Sequence, residues 1–376
     1  MHNIKNSLEK ARKYELDNIN IINDNRKPIL HLVSPIGWIN DPNGFSMFKG
    51  EYHLFCQYHP YSKIWGPMHW AHFKSKDLIK WEHMPVALAP DTNYDSFGVF
   101  SGTAIEDNGK HILMYTGVTK DNEKERQTQC IAIGDGTNYE KLEQNPIIKG
   151  DVLPKGSSVV DFRDPKIWKE DDIFYSIVAN RSEDGSGQIA LFSSKNLIDW
   201  EFKNIILKCN NELGKMWECP DLFKLDNKDF LILSPQEMEQ QGLEYHGGHG
   251  NIFVVGNYDK DNFIFNKEKA EALDYGLDFY APQTTLTSDG RRVLVGWMQS
   301  WDNHMTPGEF GWSGIMSIPR ELVYKNERLF QIPVKEIENY YKETIIIEKS
   351  IENKSFEDER LFSRIFDLNV EIDTHN

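Results

Sequence analysis

Three carboxylates stand in short sequence contexts that could support acid–base chemistry: Asp41 in "GWINDPNG", Asp164 in "DFRDPK" and Glu218 in "MWECPDLF". Each context also has an ordinary interpretation, because Asp, Asn, Pro and Gly form turns and a glutamate is commonly a surface charge. Cleavage of a glycosidic bond needs one carboxylic acid that holds its proton and one carboxylate that has lost it. Glycoside hydrolysis is therefore the first reaction to consider.

The neighbouring residues predict different acidities for two of these groups. The residues beside Glu218, "MW" before it and "CP" after it, are apolar or small, so we expect the pKa of Glu218 to be raised. Amide donors from Asn40 or from the turn backbone are expected to keep the pKa of Asp41 low. This pairing would give a protonated Glu218 and an ionised Asp41.

Composition excludes several other classes of protein. The chain has 376 residues, 39% of them hydrophobic, which is enough for one large or two ordinary domains. Its formal net charge of -16 argues against a nucleic acid or an anionic membrane as partner, since both bind basic surfaces. No stretch approaches the roughly 18 apolar residues of a membrane span. The N-terminus lacks the apolar core of a signal peptide, which predicts a cytoplasmic location.

Neither the cysteines nor the histidines form a convincing metal motif. The four cysteines are scattered without a CxxC pair, which is typical of reduced thiols in a cytosolic chain: Cys56, Cys130, Cys209 and Cys219. His246 and His249 in "YHGGHG" have no third ligand nearby in sequence, and their loop could instead border a ligand site. We therefore predict no metal.

The chain between residues 30 and 335 is organised as a repeat of β-rich units. Runs such as "EYHLFCQYH", "HILMYTGV" and "FLILSP" predict short antiparallel strands. "SKDLIKWE" (Ser75–Glu82) returns as "SKNLIDWE" (Ser194–Glu201), with weaker copies at Tyr139 and near Phe265. A repeat of about 60 residues predicts four-stranded blades, and thus an all-β, five-bladed β-propeller. A β-sandwich with an accidental repeat is the alternative.

A propeller would explain the spacing of the three carboxylates. Ligands bind at the mouth of the central channel, so reactive groups come from different blades. We expect "GWINDPNG" to form a rigid turn in the first blade that aims Asp41 into the channel. Residues 1–29 are predicted to be an N-terminal helical segment, with a helix from Ser7 to Leu16 and Ser7 as its N-cap.

Ten motifs, in this order, resemble those of glycoside hydrolase family 32, the invertase, fructanase and sucrose-6-phosphate hydrolase family. They are "ARKYE", "GWINDPNG", "QYHP", "WGPMHWAHFKSKDLIKWEH", "FSGTA", "FRDPK", "WECPDLF", "DFYAPQT", "VGWMQSW" and "SIPREL". The N-terminal helix is most similar to the intracellular bacterial branch. The resemblance implies a five-bladed propeller and a retaining double displacement at the anomeric carbon of fructose, with no metal or cofactor.

Carried over by motif, the resemblance implies a role for each carboxylate. Asp41 would be the nucleophile, Glu218 the general acid and then base, and Asp164 the stabiliser of the transition state. It also implies a fructose-binding shell of Asn40, Gln57, Trp65, Phe100, Ser101, Arg163, Tyr280 and Trp297. Phe100 is expected to line the wall of the site rather than to contact the sugar. For Trp65 and Trp297, packing in the protein core is the alternative to sugar binding.

The implied activity is that of a β-fructofuranosidase acting on sucrose or sucrose 6-phosphate. An exo-fructanase or a fructosyltransferase on fructo-oligosaccharides is an alternative, as is a non-catalytic sugar-binding propeller. Family members usually continue into a complete β-sandwich, whereas residues 336–376 offer a linker helix and only the start of such a domain. We therefore expect exposed apolar surface, and either self-association or poor stability.

Overall fold

The computed structural model describes residues 7–20, 26–121, 124–303, 310–351, 355–363 and 365–373. They fall into two compact units, Met1–Val334 and Lys335–Asn376. The first unit contains five sheets, each formed mainly by antiparallel pairing of strands that follow one another along the chain. This is the predicted all-β, five-bladed propeller, and the single β-sandwich considered as its alternative is wrong.

Each blade begins with its innermost strand. Blade 1 contains β1 (Gly37–Phe48), β2 (Glu51–His59), β3 (His69–Ser75) and β4 (Trp81–Leu88). Blade 2 contains β5 (Gly98–Asp107), β6 (Lys110–Asp121), β7 (Lys124–Gly134) and β8 (Tyr139–Lys141). Blade 3 contains β9 (Ser157–Glu170), β10 (Ile173–Ser182), β11 (Gly187–Ser194) and β12 (Trp200–Lys208). Blade 4 contains β13 (Met216–Leu225), β14 (Lys228–Gln236), β15 (Ile252–Asp259) and β16 (Ile264–Ala272). Blade 5 contains β17 (Tyr280–Leu286), β18 (Arg292–Trp297), β20 (Arg320–Lys325) and β21 (Arg328–Pro333).

The ring of blades closes through the short strand β19 (Trp312–Ser313). It leaves blade 5 and pairs in parallel with β1 of blade 1, with Gly37 opposite Trp312 and Trp38 opposite Ser313. The innermost strands β1, β5, β9, β13 and β17 contact one another in turn around the centre. Residues far apart in the chain are therefore brought to one central channel.

The sequence repeat marks one structural position. Ser75–Glu82 and Ser194–Glu201 both form the turn between the third and fourth strands of a blade. Leu78 and Leu197 lie at the same point of this turn, both buried and with φ values of 66° and 68°. The repeat thus reports how a blade turns over an apolar side chain and has no part in chemistry.

The N-terminal helix forms as predicted. It is α1 (Leu8–Asn18), and the Ser7 side chain caps it by accepting from the Lys10 backbone N–H at 3.3 Å. Its buried Glu15 accepts a hydrogen bond from the Tyr58 hydroxyl of β2 at 2.9 Å, which ties the helix to blade 1. No helix in the described ranges has the length and apolar character needed to cross a bilayer.

The unit Lys335–Asn376 contains two short 3-10 helices, Lys335–Tyr340 and Glu359–Leu361. The first of them lies in the predicted linker helix. We expected the first strands of a sandwich here, but the described residues of Lys335–Asn376 form no strand. A strand is stable only when a neighbouring strand pairs with its backbone. The sandwich, the boundaries at residues 29 and 335, and self-association stay predictions.

Candidate active site

Bulges in the innermost strands position the predicted site residues. The register of β1 shifts between Ile39 and Pro42, so Asn40 and Asp41 together oppose a single residue of β2. Two-against-one shifts of this kind also enclose Asp164 in β9 and Cys219 in β13. A bulge bends its strand and redirects the side chain, and bulges concentrate beside active sites. "GWINDPNG" is therefore a bulged strand, not the rigid turn that we predicted.

The bulges carry backbone conformations that side chains rarely adopt. Asp164, Cys219 and Ala281 have φ values of 63°, 49° and 50°. Such conformations cost about 1–3 kcal/mol each and persist where the surrounding structure enforces them. Asp164 and Cys219 lie in two neighbouring inner strands, which places the strain at the proposed reaction centre.

A cavity of about 550 Å³ opens above these bulges. Nine of the eleven predicted site residues line it: Asn40, Asp41, Gln57, Trp65, Phe100, Ser101, Arg163, Asp164 and Glu218. They come from blades 1 to 4. The fold therefore gathers side chains that lie up to 178 residues apart in the sequence, nearly half of the chain.

Asp41 is held at both carboxylate oxygens. The Ser101 hydroxyl donates to Oδ2 at 2.6 Å and the Asn40 amide donates to Oδ1 at 2.9 Å. Burial raises the pKa of Asp41, and the charge of Glu218 raises it further, while these two hydrogen bonds oppose the change. The predicted amide contact exists, but the predicted lowering of the pKa is wrong because desolvation outweighs it.

Glu218 has polar neighbours rather than the apolar ones that the sequence indicated. Its Oε1 accepts from Arg163 Nε at 2.8 Å, and its Oε2 accepts from the Tyr280 hydroxyl at 2.6 Å. Successive side chains of a strand point to opposite faces, so the adjacent Trp217 is buried elsewhere and donates to the Leu213 carbonyl at 2.7 Å. The apolar character of the flanking sequence thus does not surround this carboxylate.

Asp164 and Asp41 meet at Cys219. The Cys219 backbone N–H donates to Asp164 Oδ2 at 3.0 Å, and its Sγ lies 3.6 Å from Oδ2 of each aspartate. Burial raises the pKa of Asp164, as does the charge of Glu218, against the influence of Arg163. Asp41, Asp164 and Glu218, here called the carboxylate cluster, therefore form one electrostatic unit.

Arg163 is the cation of this unit. Burial by itself would lower its pKa, but the carboxylates of Glu218, Asp164 and Asp161 raise it. Besides Glu218, the guanidinium donates to Asp161 Oδ1 at 3.1 Å and to Gln127 Oε1 at 3.3 Å. Arg163 thus holds the side chains of Glu218, Asp161 and Gln127 in place through charged hydrogen bonds.

Two predicted site residues lie behind the cavity wall. Tyr280 is fully buried and reaches the site through its bond to Glu218. Trp297 is also fully buried and packs edge-on against Trp38, with ring centroids 5.8 Å apart. The cavity is lined instead by Trp301, the second tryptophan of "VGWMQSW", whose ring lies 5.1 Å from that of Trp297.

The loop of His249 was expected to border a ligand site, and His249 does line the cavity. Sequence reasoning missed the remaining lining residues: Glu125, Gln127, Val160, Asp161, Gln236 and Trp301. One available signal was overlooked, because "NDPN", "RDPK", "ECPD" and "YAPQ" share a proline at the third position and mark the same bulge in four blades. That signal locates the inner strands but not these residues, most of which lie on other strands or loops.

The two histidines of "YHGGHG" do not converge on a common point. His249 Nδ1 lies 3.0 Å from Asp302 Oδ1, whereas His246 Nε2 contacts the His249 carbonyl at 2.8 Å. Within the described ranges, no group of three or more His, Cys, Asp or Glu side chains is placed to hold a metal ion. His249 instead borders the cavity.

Comparison with known proteins gives a consistent result. Residues 31–333 match the model of the glycosyl hydrolases family 32 N-terminal domain. A sucrose-6-phosphate hydrolase of Zymomonas mobilis is 41% identical over 327 residues, 83% of this chain and 62% of the relative. A raffinose invertase of Escherichia coli is 39% identical over 318 residues, 83% of this chain and 65% of the relative.

Solved structures agree with the sequence matches. The GH32 beta-fructofuranosidase BmSUC1 of Bombyx mori superposes with a TM-score of 0.83 at 38% identity, covering 90% of this chain and 72% of that one. A sucrose-6-phosphate hydrolase of Lactobacillus gasseri superposes with a TM-score of 0.80 at 30% identity, covering 89% and 70%. The chain spans less than two thirds of the length of the two curated relatives above. It belongs to glycosyl hydrolase family 32.

Proposed function

We propose that this chain is a retaining β-fructofuranosidase that transfers the fructosyl group of sucrose or sucrose 6-phosphate to water. The observation that carries the proposal is the convergence of Asp41, Asp164 and Glu218 from three blades on one cavity, with Cys219 Sγ 3.6 Å from both aspartates. The names of the relatives support the choice of sugar, as does a variant of the Bombyx mori enzyme solved in complex with sucrose.

In the first step, an Asp41 oxygen attacks the anomeric carbon of fructose while Glu218 gives its proton to the glycosidic oxygen. The bond between that oxygen and the anomeric carbon breaks, and the glucosyl part leaves as an alcohol. In the second step, Glu218 takes a proton from water, whose oxygen displaces Asp41. Two inversions retain the configuration of fructose.

The electrostatics of the cavity favour this reaction. The transition state resembles an oxocarbenium ion, and its positive charge develops among carboxylates that repel one another in the empty site. Asp164, fixed by the Cys219 N–H, would contact the sugar hydroxyls and stabilise that charge. The relief of repulsion occurs only as charge develops, so it lowers the barrier rather than strengthening ground-state binding.

Hydrogen bonds hold the two reacting groups in place. Ser101 and Asn40 orient Asp41, while Arg163 and Tyr280 hold the two oxygens of Glu218.

All four cysteines are free and buried, which supports our proposal of a reducing, cytoplasmic location.

The test is hydrolysis of sucrose and sucrose 6-phosphate, with the anomeric form of released fructose followed by NMR. We expect initial release of β-fructofuranose, and a loss of about 10²-fold or more in Glu218→Gln, because the leaving oxygen then receives no proton. Glu140→Gln, at an exposed position of β8, is the matched control. Initial release of the inverted anomer, or full activity in Glu218→Gln, would contradict the mechanism; oligosaccharide products would favour fructosyl transfer.

A further inference from the structure

We propose that the leaving-group side of the cavity selects an uncharged sugar over a phosphorylated one, and that Glu125 is a specificity-determining residue. This inference rests on the proposed function, since it concerns the sugar that Glu218 would release. It would give this chain a different preferred substrate from the sucrose 6-phosphate for which several of its relatives are named.

A line of hydrogen bonds places Glu125 beside the proposed general acid. Arg163 Nε donates to Glu218, and Arg163 NH1 donates to Gln127 Oε1 at 3.3 Å. The Gln127 oxygen also accepts from the Phe162 backbone N–H at 2.9 Å, which fixes the orientation of the amide. Its NH₂ group therefore points to Glu125 and donates to Oε1 at 2.7 Å. Glu125 is thus held in the cavity lining, linked through Gln127 and Arg163 to the group that would protonate the released alcohol.

The charges that line the cavity are predominantly negative. Five carboxylates line the cavity, namely Asp41, Glu125, Asp161, Asp164 and Glu218. Among the described lining residues, Arg163 is the one Lys or Arg, and its guanidinium already binds Glu218 and Asp161. His249 is engaged by the carboxylate of Asp302 through both its ring and its backbone N–H. The Arg163 guanidinium and the His249 ring are thus both already bound to carboxylates of this chain.

A phosphate and a hydroxyl would meet this wall differently. A sugar phosphate carries about -1.5 to -2 charges near pH 7 and needs cationic or N–H donors. A sugar hydroxyl can donate to the free oxygen of Glu125, while Gln236 and Trp301 also line the cavity. Like charges brought together in a partly enclosed site repel more strongly than in water. The neutral sugar is therefore favoured.

The experiment measures binding separately from turnover. Affinities of sucrose and sucrose 6-phosphate are determined by calorimetry on Asp41→Asn, which leaves the Glu125 wall intact, at low and high salt. We expect sucrose 6-phosphate to bind about threefold or more weakly at low salt, a ratio that shrinks at high salt because ions screen the repulsion. Adding Glu125→Gln should reduce the ratio, whereas adding Glu140→Gln, a matched charge change on β8, should not.

Equal or tighter binding of sucrose 6-phosphate, or an affinity ratio that Glu125→Gln leaves unchanged, overturns the inference. Turnover of both sugars by the unmodified chain is measured in parallel. Absence of hydrolysis together with the expected affinity ratio would remove the proposed function while supporting selection of the neutral sugar. Hydrolysis together with tighter binding of sucrose 6-phosphate would support the proposed function and overturn the selection of the neutral sugar.

Discussion

Two groups of buried titratable side chains lie in the propeller, one beside the cavity and one inside the blades. The carboxylate cluster borders the cavity. The histidine cluster (His53, His72 and His111) lies inside blades 1 and 2, where His53 Nδ1 contacts His72 Nε2 at 2.9 Å. His111 contacts the Ser46 hydroxyl at 2.9 Å and the Tyr139 hydroxyl at 2.8 Å. Both clusters are buried and hydrogen-bonded.

Burial favours the neutral forms of the three histidines and of the two aspartates of the carboxylate cluster. It lowers the pKa of His53 to about 4 and lowers the pKa values of His72 and His111 as well. It raises those of Asp41 and Asp164. The difference lies in the surroundings, because the carboxylates have an open cavity, a cationic Arg163 and bulged strands. Burial of a titratable group therefore does not by itself identify a reactive site.

The sharpest test of this contrast is Asp41→Asn. We expect sucrose hydrolysis to fall about 10³-fold or more, because the amide cannot act as the nucleophile. The melting temperature should stay the same or rise, since the buried anion and its repulsion with Glu218 are removed. Activity and thermal unfolding are measured on the same preparation. Full activity, or unfolding of the variant, would contradict the assignment of Asp41 to chemistry.

Stability against pH should distinguish the clusters by sign. Histidines with lowered pKa values bind fewer protons when folded, so their contribution is complete above pH 6.5 and is lost as the pH falls toward about 4. The loss is about 1.4 kcal/mol per pH unit for each histidine. Asp41 has the opposite effect. Its buried anion destabilises the folded state, and this destabilisation is relieved as the pH falls through the raised pKa of Asp41.

Urea unfolding at several pH values tests this prediction. The free energy of unfolding should fall between pH 6.5 and 4.5, and it should fall more steeply in Asp41→Asn, which lacks the opposing group. A flat profile in both the unmodified chain and Asp41→Asn would contradict the prediction.

Tyr280→Phe examines a residue that serves the carboxylate cluster from behind the wall. Removing the hydroxyl that donates to Glu218 Oε2 should lower kcat about tenfold, the effect of one lost hydrogen bond to a charged group. Stability should change little, because the ring still fills its buried position. An unchanged kcat would mean that Arg163 alone positions Glu218.

Tyr139→Phe is the corresponding change in the histidine cluster. It removes the partner of His111 Nδ1, and we expect stability to fall by about 1–2 kcal/mol. Sucrose turnover at a temperature where the variant is folded should not change. Loss of turnover without loss of stability would connect this cluster to the active site and break the comparison.

Much of the fold could be predicted from local patterns. The copies of "SKDLIKWE" mark the same turn in two blades, because in both the chain reverses over a buried leucine, Leu78 or Leu197. The cap at Ser7 is likewise local, since a hydroxyl satisfies the first N–H groups of the helix that follows. The part of Lys335–Asn376 that the structure describes contains none of the strands we expected there, because pairing depends on a neighbour that local sequence does not supply.

The sequence by itself determined the identity of the carboxylates, the number of blades and most of the lining of the cavity. Only the tertiary structure decided the environment of each group. Glu218 has apolar neighbours in sequence but contacts Arg163 and Tyr280, because alternate side chains of a strand face opposite ways. The wall carrying Glu125 arises likewise from hydrogen bonds between blades. Charge and desolvation act through space, so they become defined only when the blades close.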